Sequence, residues 1–140
     1  MSSDDQKDLS RRALNFWASD NSDRPEAVFA AGYLNHQEPD VEGGVTTKSL
    51  EAWKELVAGF HEAFSDSRIK VLMQIAEGDL VANRWAFTAV HTGSFMAAAP
   101  TGNEVTWTGV QIDRIENGKI VESWVDWDKY RFFQGIGLAD

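Results

Sequence analysis

Apolar positions keep a helical period through the first half of the chain and a strand period through the second. Leu9, Ala13, Phe16 and Trp17 recur at helical spacing, which predicts an amphipathic helix from about Asp4 to Ser19. Ser2 or Ser3 can cap it, with Asp4 and Asp5 near the positive end of its dipole. The polar break Ser19-Asp20-Asn21-Ser22 precedes Pro25, which suits the first turn of a short second helix running towards Tyr33. A third helix is predicted from about Lys48 to Phe64. Its buried stripe is Leu50, Trp53, Val57, Phe60 and Phe64, and Ser65-Asp66-Ser67 ends it.

From Arg68 onward the period becomes two, and β-branched and aromatic residues dominate. Arg68–Ala76 and Leu80–Thr92 read as a hairpin about Glu77-Gly78-Asp79. After a loop over Gly93–Asn103, Glu104–Ile115 and Lys119–Asp128 form a second hairpin about Asn117-Gly118, a strong two-residue turn signal. A short helix from about Lys129 to Gly135 follows. Helices first and strands afterwards predict an α+β domain over all 140 residues, with N-terminal helices covering a curved, mainly antiparallel sheet.

A two-residue turn at Asn117-Gly118 sets a register in which Glu116 faces Lys119. Stepping outward then pairs Ile115 with Ile120, Asp113 with Glu122, Gln111 with Trp124, Gly109 with Asp126 and Trp107 with Asp128 on one face. The other face carries Arg114, Ile112, Val110 and Thr108 opposite Val121, Ser123, Val125 and Trp127. The second face is a nearly clean apolar stripe, whereas the first mixes polar groups with large aromatics, as ligand cavities do. The hairpin alone does not decide which face turns inward. Asp113 opposite Glu122 puts like charges together, which destabilises a strand pair; a cation between them, Arg84 from the neighbouring strand, or a shared proton is expected.

Composition narrows the function classes. Six tryptophans supply area for a core or a lined cavity. With no cysteine the chain has no disulfide, thiolate nucleophile or cysteine metal site, which fits a reducing, cytoplasmic setting. No stretch approaches a membrane span. A net charge of −9, without a basic cluster, argues against nucleic-acid binding. The histidines lack metal-ligand spacing, so no metal is expected, and Gly43-Gly44 lacks the Lys-Ser/Thr of a phosphate loop.

Several segments together resemble the SnoaL-like polyketide cyclase family. They are Ala63-Phe64-Ser65-Asp66, the run Ala76-Glu77-Gly78-Asp79-Leu80-Val81-Ala82-Asn83-Arg84-Trp85, His91-Thr92-Gly93-Ser94-Phe95, and Pro100-Thr101-Gly102. The last is Asn117-Gly118-Lys119-Ile120-Val121-Glu122-Ser123-Trp124, with Asp128 four residues on. The likeness spans roughly Tyr33 to Leu138. It implies a cone of the nuclear-transport-factor-2-like type, whose concave sheet face and helices enclose a pocket and whose convex face often pairs subunits. It implies that Gln111, Trp124 and Asp128 face the pocket. The stripe of Val110, Ile112, Val121, Val125 and Trp127 would then face the second copy of a homodimer.

The resemblance also implies cofactor-free ring closure by intramolecular aldol condensation of a hydrophobic carbonyl compound, with Asp128 as acid/base. Such chemistry needs a base for the proton beside a carbonyl and donors for the enolate oxygen. Trp107, Trp124 and Asp126 near Asp128 would tune it, and His36 and His91 are candidates to hold the oxyanion or share the proton. Gln111, Asp113, Trp107, Trp124, Arg84 and Asp126 complete the expected substrate-binding set. Two other readings share the cone. An epoxide hydrolase needs an Asp-Arg-Asp set, of which Arg84 and Asp128 supply two members but Ala86 stands where a third is wanted. The other is a non-catalytic ligand-binding or dimerising module.

Overall fold

The computed structural model describes residues 1–39 and 42–140. Helix α1 (Ser3–Leu14) starts at a capping box, in which Ser2 and Asp5 each accept from the other's backbone N–H. A 3-10 turn over Asn15–Trp17 continues it. Helix α2 (Pro25–Val28) has proline in its first turn and stops at Phe29. The expected extension towards Tyr33 is instead strand β1 (Phe29–Gln37), which buries Phe29, Tyr33 and Asn35. A register irregularity between Phe29 and Leu34 breaks its alternation, and that hides the strand behind Ala30, Ala31 and Gly32.

Strand β2 (Val45–Thr47) pairs with β1, and α3 (Leu50–Ala63) follows behind its cap Ser49. Phe64 opens strand β3 (Phe64–Glu77), so Ser65-Asp66-Ser67 belongs to the strand and not to a helix end. The pairing shifts between Ser65 and Arg68, and Asp66 takes a left-handed φ of 48° there. Strands β4 (Leu80–His91), β5 (Glu104–Glu116) and β6 (Lys119–Trp127) and helix α4 (Lys129–Gly135) complete the order. The sheet runs β2-β1-β6-β5-β4-β3, with β1 parallel to β6 and every other pair antiparallel. It is the expected α+β arrangement of helices on a curved, mixed sheet. No helix among the described residues is long and apolar enough to cross a membrane.

The β5–β6 register departs from the expected one by a single residue. Glu116 faces Lys119 and Ile115 faces Ile120, but the next pair is Arg114 with Glu122, so Val121 is the extra residue of a bulge. A shift of one turns every later side chain of β6 to the opposite face. Ser123, Val125 and Trp127 therefore share the concave face with Asp113, Gln111 and Trp107. Trp124 and Asp126 lie on the convex face with Ile112 and Val110. The expected apolar stripe is split between the two faces. The like-charge pair does not form either: Asp113 faces Ser123, and Glu122 accepts from Arg114 Nη2 at 3.0 Å.

Candidate functional site

The concave face of β4 and β5, the inner sides of α3 and α4 and the end of β1 enclose a cavity of about 510 Å³. Its walls are aromatic: Trp17, Phe60, Trp85, Phe87, Trp107, Trp127, Phe132 and Phe133 all contribute. These rings brace one another, as in the stack of Phe87 on Trp107 with centroids 4.8 Å apart. Alternation along β4 and β5 turns Phe87 and Trp107 inward, and the β6 bulge adds Val125 and Trp127.

Gly109 is required by this packing. A Cβ there would lie 2.4 Å from Trp85 Cζ2 and 2.7 Å from the Asp126 carbonyl oxygen, so only glycine lets the indole cross β5.

Few polar groups reach the cavity. Gln111 does so from β5, and Gln37 and Glu38 from the end of β1. Lys129 comes from the first turn of α4, and Glu55 from α3. Lys129 Nζ lies 2.9 Å from Glu38 Oε1 and 5.8 Å from the ring centroids of both Trp127 and Phe133. Glu38 holds a left-handed φ of 53°, and its N–H donates to the Val125 carbonyl at 2.7 Å.

Behind Gln111 lies a buried carboxylate. Asp113 is fully buried; Oδ1 accepts from Gln111 Nε2 at 2.8 Å and from Ser123 Oγ at 2.5 Å, and Oδ2 accepts from Ser10 Oγ. Burial pushes its carboxyl above the ordinary aspartate range, against the opposing pull of Ser10, Ser123 and Gln111. Around it, Tyr33 donates to Ser123 Oγ at 2.8 Å, Asn35 Nδ2 to Tyr33 Oη at 2.8 Å, and Gln37 Nε2 to Asn35 Oδ1 at 2.7 Å. On the other side Asn83 Nδ2 donates to Ser10 Oγ at 2.7 Å, and Gln74 Nε2 to Asn83 Oδ1 at 2.8 Å. Burial, then the Asp113 charge, push the Tyr33 phenol upward.

The structure distributes the expected site residues widely. Gln111 and Trp107 line the cavity, and Asp113 lies directly behind Gln111. Trp124, Asp126 and Arg84 occupy the convex face, where Arg84 pairs across from Val110. His36 is also there, stacked on Trp124 at 5.8 Å, with Nε2 2.7 Å from Glu122 Oε2 and Nδ1 3.1 Å from Thr46 Oγ1. His36 and then Arg114 hold the Glu122 carboxyl below its ordinary range.

His91 is buried against Phe64, and its Nδ1 accepts from the Thr101 N–H at 3.2 Å, so it anchors the loop before β5. Asp128 is exposed and caps α4, with Oδ1 accepting from the Arg131 N–H at 3.0 Å; it is not among the cavity walls. Arg84 lies on the convex side, so the Asp-Arg-Asp set of an epoxide hydrolase is not assembled in this cavity. Groups of three or more histidine or acidic side chains placed to hold a metal do not occur among the described residues.

Sequence reasoning missed Glu38, Lys129, Ser10 and Ser123. Ser10 carried a signal, since it falls in the apolar stripe of α1 between Leu9 and Ala13, where a polar side chain needs a buried partner.

The profile of the family described as SnoaL-like polyketide cyclase matches residues 7–136. Among solved structures, the candidate hydroxylase AclR from Streptomyces galilaeus superposes with a TM-score of 0.76 at 27% identity, covering 96% of this chain and 88% of that one. The candidate polyketide cyclase IdmH from Streptomyces antibioticus gives 0.79 at 24%, covering 94% and 98%. TsrD from Streptomyces laurentii gives 0.83 at 16%, covering 99% and 98%. Among curated proteins none matches this sequence.

Proposed function

Because the chain belongs to the SnoaL-like polyketide cyclase family, we propose that it is an acid/base enzyme closing a ring in a hydrophobic carbonyl compound held in the aromatic cavity. The observation that carries this reading is the Glu38–Lys129 pair, an ionic couple set into a mainly aromatic wall. The left-handed backbone at Glu38 supports it, because such conformations cost energy outside glycine and cluster at functional sites.

In this reading Glu38 takes the proton from the carbon beside the ligand's carbonyl, and the C–H electron pair becomes the enolate. The negative charge thereby moves from the carboxylate to the ligand oxygen. It stays near the Lys129 ammonium, which no longer faces an ionised partner. The enolate carbon then bonds to a second carbonyl carbon of the same molecule, and the resulting alkoxide takes the proton back from Glu38. Positioned groups that take up a proton and hold the developing charge supply much of such catalysis. Asp128, the acid/base implied by the family resemblance, is the alternative proton acceptor, and the same experiment separates the two.

Exchange of the α-protons of 2-tetralone in D2O, followed by NMR, isolates the proton-abstraction half of the reaction. The wild-type protein is expected to accelerate it. Glu38→Gln should lose at least about a hundredfold, the lower range for a positioned base, whereas Asp128→Asn should stay within severalfold. Loss in Asp128→Asn with retention in Glu38→Gln transfers the role to Asp128, and no acceleration by wild type refutes the enzymatic reading.

A further inference from the structure

The two amides that line the cavity are both tied, nitrogen end inward, to one buried carboxylate. Gln111 Nε2 reaches Asp113 Oδ1 directly at 2.8 Å. Gln37 is tied through four bonds in series: to Asn35 at 2.7 Å, Asn35 to Tyr33 at 2.8 Å, Tyr33 to Ser123 at 2.8 Å and Ser123 to Asp113 at 2.5 Å. Each bond in that series donates towards Asp113. A carboxylate only accepts, so the direction of every link follows from the group at its root. An amide's nitrogen and oxygen ends exchange places by a flip, and the surrounding network selects between them.

Committing both nitrogens inward leaves Gln111 Oε1 and Gln37 Oε1 without a protein donor among the described residues, on side chains that line the cavity. Gln111 is 4% exposed, and the little surface it keeps lies on the cavity wall. A site whose wall presents an unmatched acceptor discriminates strongly against ligands lacking the donor.

We infer that Asp113 is a positioning residue that turns both cavity amides oxygen-outward and so makes the cavity select ligands bearing a phenol or enol hydroxyl. This deepens the proposed function only in resting on the cavity as the ligand site; it does not require Glu38 to act as a base. The ligand's hydroxyl donates to Gln111 Oε1, and its rings lie on the aromatic walls.

Calorimetric titration of the full chain with 2-naphthol and with 2-methoxynaphthalene tests this, since the two share a skeleton and differ in the donor. Wild type is expected to bind 2-naphthol at least about tenfold more tightly. Asp113→Leu removes the acceptor that orients the amides and should bring the two affinities within about twofold. Where that variant fails to fold, Gln111→Leu carries the test with the same expectation. A general loss of structure weakens both ligands and leaves their ratio alone, so the ratio reports orientation. Equal binding by wild type, or a preference kept by either folded variant, overturns the inference while leaving the cavity reading intact. Binding of neither probe overturns both.

Discussion

Ser123 faces Asp113 across the β5–β6 pair and donates to its Oδ1 at 2.5 Å. The contact exists because Val121 bulges out of β6 and brings Ser123 to the concave side. Ser123→Ala removes one donor from Asp113 and strands the Tyr33 hydroxyl, which donates to Ser123. The variant is expected to lose about 1–3 kcal/mol in urea unfolding, the usual cost of unmatched buried polar groups. A loss under half a kilocalorie would mean that the network reorganises at little cost.

The buried carboxyl also sets a pH dependence. A carboxyl whose native pKa lies above its unfolded value binds more protons in the folded state. Its contribution to stability is therefore full below the unfolded carboxyl range and is lost as pH rises through the native value. Asp113→Asn keeps the shape and removes the charge. Its amide nitrogen meets a donating hydroxyl, which costs the variant a pH-independent amount, but thermal melts should show its stability relative to wild type rising between pH 4 and pH 7. A relative stability that rises on acidification would reverse the sign and refute the assignment.

Gly109→Ala tests the packing of the cavity wall. The added methyl meets Trp85 Cζ2 at 2.4 Å and the Asp126 carbonyl oxygen at 2.7 Å, and the backbone contact cannot rotate away. A destabilisation of about 1–3 kcal/mol is expected, as for overpacked cores. The displaced indole should also narrow the cavity and weaken 2-naphthol binding. An unchanged melting temperature would show that the indole does not need the glycine.

On the convex face we propose the contact of a homodimer, although not along the stripe that the sequence suggests. Met73, Arg84, Val110 and Asp126 form one row across four strands, with the neighbouring row holding Ile75, Ala82, Ile112 and Trp124. Met73, Ile75 and Val110 are exposed. A two-fold axis through Val110 would set Arg84 of each copy against Asp126 of the other, the self-complementarity that isologous interfaces require. Sedimentation should show a dimer at micromolar concentration and a monomer for Ile75→Glu/Val110→Glu. A wild-type monomer would contradict the interface.

What the sequence shows of this protein follows from how local each determinant is. The two long hairpins, α3 and the C-terminal helix follow from periodicity and from the Asn117-Gly118 turn, all short-range signals. β1 is hidden because its pairing with β6 is parallel and long-range, while Ala30 and Ala31 favour a helix locally. The placement of the candidate site turns on one residue. Val121 is β-branched and sits in an unbroken strand pattern, so no local feature marks the bulge, yet it exchanges Trp124 and Asp126 for Val125 and Trp127 on the inner face. Gln111, Trp107 and Asp113 lie on β5, whose alternation the extra residue in β6 leaves unbroken, and so keep their expected face. Glu38 and Lys129 meet only through the tertiary fold, far apart in sequence, and spacing carries no trace of them.

The claim on which the rest depends is that the aromatic cavity is the ligand site, with Gln111 oxygen-outward on its wall. A crystal structure of the protein with 2-naphthol tests it most directly. The naphthalene is expected against Trp107 and Trp127, with its hydroxyl within about 3.2 Å of Gln111 Oε1. A ligand bound on the convex face, or one in the cavity with its hydroxyl turned away from Gln111, would contradict it.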